Sequence, residues 1–116
     1  MSNRRIALQP LNAESFAPFG DVLEATGEPD KIINAGMCGR FHDLANLDFT
    51  GNEARAGISL FRSEARTLPY TLDLVERHPL GSQAFIPMSA DPFMVIVAPD
   101  DGDVPGTPVA FLTSPG

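Results

Sequence analysis

Tryptophan is absent from this chain, tyrosine and cysteine occur once each, and histidine occurs only twice. Each scarcity narrows what the protein can be. A lone cysteine, Cys38, forms no internal disulfide, which fits a reducing compartment. Its ordinary role is that of a small buried hydrophobe rather than a catalytic thiol. Eight lysines and arginines stand against fifteen aspartates and glutamates, a formal net charge of -7. That balance repels a nucleic-acid backbone, and no basic run or interleaved aromatic patch offsets it, so nucleic acid is not an expected partner. An anionic small molecule would need only a local cluster of donors. Long hydrophobic runs are also missing: Phe93 to Ala98 is the longest, far short of the ~20 residues that cross a bilayer. The start, MSNRRIALQP, carries two arginines without an apolar stretch of signal length behind them. No membrane partner and a cytoplasmic location are the expectations.

What the chain does hold is punctuation. Eleven prolines and ten glycines in 116 residues break it into short segments, while 43% hydrophobic content is enough to fold. The length predicts a single domain, 1–116, without internal repeat or linker. Arg5–Leu8 alternates as a first strand, and Asn12 caps a short helix through Phe16 that Pro18 ends. Strands are predicted at Asp21–Ala25, Gly57–Arg62, Tyr70–His78, Gln83–Met88, Phe93–Ala98 and Val109–Thr113, with Arg40–Leu47 ambiguous. Many short strands with turn signals between them predict an all-β barrel or sandwich.

The stretch ERHPLGSQAFIPM, Glu76 to Met88, carries the densest chemistry. On a strand of period two, Leu72, Leu74, Glu76 and His78 share one face, and Thr71, Asp73, Val75 and Arg77 the other. The face with two leucines is the better candidate for the inside. Pro79 cannot donate to a ladder, and Leu80-Gly81-Ser82 has turn chemistry before the chain re-enters a strand at Gln83. Glu76, His78 and Gln83 are thereby expected to converge at one end of a cavity. Taken alone, the same pair is also what a solvated strand end looks like.

ERHPLGSQAFIPM resembles the signature segment of the ureidoglycolate lyase family, formerly called ureidoglycolate hydrolase. LNAESFAPFGDVLEA resembles the family's amino-terminal segment, NAGMCGRFHDLA its glycine-arginine-histidine segment, and ISLFRSEARTLP and PFMVIVAP further text in the same order. The resemblance covers essentially the whole chain. It implies a cupin-like antiparallel β-barrel with one short amino-terminal helix, a homodimer, and cleavage of ureidoglycolate to glyoxylate and urea in allantoin and purine nitrogen degradation. Cupins carry a first metal motif of His-x-His, three or four residues, then Glu. Glu76-x-His78, four residues, then Gln83 lies in that register, and only His78 keeps the usual residue type.

The implied chemistry needs a base for the substrate's hydroxyl proton and a donor for the departing urea nitrogen. An imidazole changes charge near neutral pH and suits either task, so His78 is the implied catalytic group, with Glu76 orienting it or sharing the transfer. A divalent metal, nickel by family association, would sit on His78, Glu76 and Gln83, although one imidazole and an amide are weak ligands. Arg40 matches a family arginine whose planar fork suits a carboxylate, and His42 follows on the same phase, so Arg40, His42 and Gln83 are the implied substrate contacts. Arg62 is a weaker candidate. Gly39 stands where the family has an acidic residue, and Phe41 where it has a common tyrosine. VAFLTSPG resembles an interior family segment, after which relatives continue with a second histidine-rich motif. The expected barrel is thus incomplete at the carboxyl end. Two readings stay open: a lyase, or a non-catalytic module that dimerises or binds small carboxylates.

Overall fold

The structure, a computed structural model, describes residues 4–113; residues 1–3 and 114–116, including the end of VAFLTSPG, lie outside them. The chain divides into two compact units, residues 1–46 with 86–116 and residues 47–85. Its regular structure is almost entirely strand, with one short helix and no closed barrel among the described residues, consistent with an all-β, cupin-like fold.

The first unit is organised by a three-stranded sheet. β1 (Leu8–Pro10) precedes α1 (Ala13–Phe16), and β2 (Lys31–Ile33) and β3 (Cys38–Arg40) form a hairpin. β4 (Met94–Val97) follows, then β5 (Asp100–Asp101), β6 (Val104–Pro105) and β7 (Val109–Leu112). The sheet order is β1-β7-β4, with β7 parallel to β1 and antiparallel to β4. β7 is central, so both its edges are paired and its side chains are the ones buried: Ala110 is 2% exposed and Phe111 is fully buried. Phe16 and Phe19 meet the Phe111 ring edge-on at centroid distances of 5.2 and 6.0 Å, a favoured aromatic geometry.

Asn12 makes this possible. Its side-chain oxygen accepts from the Ser15 N–H at 2.8 Å, and the Ser15 hydroxyl accepts from the Asn12 N–H at 3.4 Å. This reciprocal cap satisfies orphan donors of a helix too short to hold itself, and delivers Phe16 onto the sheet. Helix and cap fall where the sequence predicts them.

Several predicted strands differ. The first forms at Leu8–Pro10 rather than Arg5–Leu8, and Arg40–Leu47 contributes only Arg40, at the end of β3. Asp21–Ala25, Gly57–Arg62, Tyr70–His78 and Gln83–Met88 are not strands, and Leu74 is 73% exposed rather than facing inward. Alternation prepares a chain to be a strand, but a ladder also needs a partner edge. Among the described residues none is presented to these runs. Val95 to Val97 are half-buried, and Cys38 is exposed rather than buried.

Candidate active site

In the second unit the chain closes on itself through a small clasp. Thr50 donates to the Leu80 carbonyl at 2.7 Å and Ser82 to the Asp48 carbonyl at 3.1 Å, with Phe49 and Gly81 paired as an isolated antiparallel bridge. The Ser82 hydroxyl accepts from the Asp48 N–H at 3.0 Å. Gly81 is required by space: a Cβ there would lie 2.8 Å from the Asp48 carbonyl oxygen. Pro79, which has no N–H to give, precedes the clasp. His78 and Gln83 are therefore held on either side of four residues whose backbone is pinned to Asp48–Thr50.

Against this clasp lies a cavity of about 430 Å³, lined by Phe49, the segment Glu53-Ala54-Arg55 and the run from Arg77 to Gln83. Of the predicted site residues, His78 and Gln83 line it together. Glu76 is not in the lining but reaches His78, with Oε2 3.6 Å from Nε2. At that distance the pair is an electrostatic contact rather than a hydrogen bond. The two side chains are 71% and 55% exposed, so water reaches both.

Arg40 and His42 belong to the other unit. Lys31 pairs with Arg40 and Ile33 with Cys38 across the β2–β3 hairpin. Its turn places Ala35 and Gly36 at φ 55° and 87°, and the Met37 N–H donates to the Asn34 carbonyl at 3.1 Å. Positive φ at both central residues matches the right-handed strand twist. Beyond the hairpin the chain is tied back: the His42 N–H donates to Asp30 Oδ2 at 2.7 Å, and Arg40 Nη2 meets His42 Nδ1 at 2.5 Å. A guanidinium only donates, so Nδ1 is the acceptor and Nε2 is the ring nitrogen left to face a ligand. Arg40 and His42 are thus coupled to each other, and Arg62 is exposed.

Arg55, Arg77 and Glu53 also line the cavity, where the sequence pattern does not predict them. Arg77 carries no signal beyond its place next to His78. Arg55 and Glu53 lie far from the signature segment in sequence, and only the Phe49–Gly81 pairing brings their stretch to it.

The sequence matches the model of the ureidoglycolate lyase family over residues 3–116. The chain belongs to the ureidoglycolate lyase family. Among its curated relatives, the ureidoglycolate lyase of Rhodobacter capsulatus is 62% identical over 112 residues, covering 97% of this chain and 69% of that protein. Ureidoglycolate lyase 2 of Rhizobium meliloti is 53% identical over 111 residues, covering 96% and 68%. The ureidoglycolate lyase of Chelativorans sp. is 51% identical over 113 residues, covering 97% and 68%. The chain therefore spans a little over two thirds of the length of these relatives. Within the family's sequence the Glu76–His78 pair and its cavity lie on the second unit, and the Arg40–His42 pair on the hairpin of the first.

Proposed function

We propose that this protein is a ureidoglycolate lyase, splitting ureidoglycolate into glyoxylate and urea within allantoin and purine nitrogen degradation. The observation that carries the reading is family membership along residues 3–116. The second unit supports it with an imidazole–carboxylate pair beside a cavity of small-molecule size, about 430 Å³.

The reacting carbon of ureidoglycolate bears a hydroxyl, a carboxylate and the ureido nitrogen. A base takes the hydroxyl proton, the oxygen's electron pair forms C=O, the C–N bond breaks with its pair to nitrogen, and that nitrogen takes a proton to complete urea. His78 is the base. Its Nε2 side faces Glu76, leaving Nδ1 as the nitrogen for the hydroxyl, and Glu76 stabilises the imidazolium as it forms. The same imidazolium then protonates the leaving nitrogen. The Gln83 amide, in the same lining, is the hydrogen-bonding group for the ureido carbonyl. For Arg40 and His42, in the first unit, a role as substrate contacts rests on the family resemblance alone, and Arg40 is engaged with His42.

The donor set does not fit a tight metal centre. Glu76, His78 and Gln83 supply one carboxylate, one imidazole and one amide, the first two open to water, and the described residues hold no group of three or more His, Cys, Asp or Glu side chains suited to a metal. No step above runs through nickel. We place the protein in the cytoplasm as a homodimer. No helix among the described residues is long and apolar enough to cross a membrane, and the exposed thiol of Cys38 suits a reducing compartment.

The exposure of Glu76 and His78 favours the alternative of a carboxylate-binding module without turnover, because general acid–base chemistry is usually sheltered from water. Urea release from ureidoglycolate by the wild type, His78→Ala and Glu76→Gln separates the two readings. The lyase reading expects His78→Ala to lower kcat about 10²- to 10⁴-fold, and Glu76→Gln about 10-fold, with KM little changed. Saturable binding without urea release in the wild type would establish the module instead. Undiminished turnover in His78→Ala would remove His78 from the chemistry.

A further inference from the structure

The acidic excess of the whole chain is not repeated in the lining of the His78 cavity. Fifteen acidic residues outnumber eight basic ones overall. In the cavity lining two guanidiniums, Arg55 and Arg77, meet a single carboxylate, Glu53. Arg77 already has an interaction of its own. Arg55 makes no hydrogen bond or ion pair with another of the described residues, so its five N–H donors are uncommitted, and the residue lines the cavity. It lies on the Glu53–Arg55 segment, which the Phe49–Gly81 clasp brings to the run that carries His78.

We propose that Arg55 is the residue that binds the substrate carboxylate in the His78 cavity; the inference rests on the lyase reading of that cavity. A planar guanidinium receives a carboxylate bidentately, fixing the plane as well as the position of the group. The reacting carbon is bonded directly to the carboxylate, so anchoring that group leaves the carbon only rotation about one bond. The hydroxyl can then be held toward the imidazole. Glu53 completes the polarity. Two residues from Arg55, its carboxylate repels the substrate's own and accepts N–H bonds from the ureido end, so the two ends of the molecule are told apart.

The test uses two unreactive probes. Ureidoacetate is the substrate without its hydroxyl and keeps the carboxylate; N-methylurea keeps only the ureido end. Chemical-shift titrations of both are run on the wild type, Arg55→Gln and Arg55→Lys, alongside urea release from ureidoglycolate, with melting curves to confirm folding. Arg55→Gln is expected to weaken ureidoacetate about 10- to 100-fold and to raise KM by a similar factor, with N-methylurea unchanged. Arg55→Lys, which keeps the charge but loses the fork, should recover part of the loss. Ureidoacetate binding within twofold of wild type in Arg55→Gln, equal loss of both probes, or no ureidoacetate binding by the wild type overturns the proposal. Arg55-dependent ureidoacetate binding without urea release would leave the inference standing and overturn the lyase reading. Turnover with an unchanged KM in Arg55→Gln would do the reverse.

Discussion

An imidazole with a carboxylate 3.6 Å away and both side chains more than half exposed gains little stability from the contact, because water screens it. The contact is therefore not what orders this end of the chain. The openness of the pair also sets its metal affinity. A tight divalent site wants three or more well-placed ligands held by surrounding hydrogen bonds, and none of the described residues hydrogen-bonds the imidazole of His78 or the carboxylate of Glu76. Titration of the metal-stripped protein with nickel is expected to give a dissociation constant above about 1 µM. Submicromolar binding that disappears in His78→Ala would reveal a ligand set larger than Glu76, His78 and Gln83. At this scale the sequence was informative where neighbours in the chain are neighbours in space. Glu76 and His78 lie 3.6 Å apart, though not on the strand that the alternation implied. Arg55 was not legible, since no local pattern marks a residue whose relation to His78 depends on a pairing between Phe49 and Gly81.

Elements were legible where their stabilising partners are local or continuous. The Asn12 cap needs only Ser15, and α1 forms where expected. The apolar runs at β4 and β7 find each other in register from Met94–Leu112 to Val97–Val109. Tyr70–His78 has strand composition too, but a strand is a relation between two edges, and composition cannot supply the second. What orders the end of that stretch is the clasp. Gly81→Ala puts a methyl group 2.8 Å from the Asp48 carbonyl oxygen, a contact that backbone must move to relieve. The substitution is expected to cost about 1–3 kcal/mol within the second unit. It should also lower ureidoglycolate turnover, since His78 and Gln83 flank the displaced segment. Thermal melting with parallel kinetics checks this. A Gly81→Ala variant with unchanged melting and turnover would mean that the Asp48–Ser82 contacts do not hold the cavity lining in place.

For the whole molecule two terms oppose each other when copies meet. A net charge of -7 on each copy is repulsive. Large apolar side chains left in water pull the other way: Ile58 is 96% exposed, Leu60 80% and Phe61 75%, and Ile86 and Met88 are also open. Three of these follow within four residues, so one partner segment is enough to cover them. The hydrophobic term is insensitive to moderate salt, whereas the repulsion between exposed like charges is screened over roughly 8–10 Å at physiological ionic strength. The protein is therefore expected to elute as a dimer of the 12.4 kDa chain at micromolar concentration, with the dimer strengthened by added sodium chloride. Ile58→Glu, which places a carboxylate among these side chains, should shift the population toward monomer, and Glu28→Gln, in the other unit, should not. Light scattering after size exclusion reads both. A sharply melting monomer of wild-type protein, or a dimer indifferent to Ile58→Glu, would show that these side chains do not drive self-association.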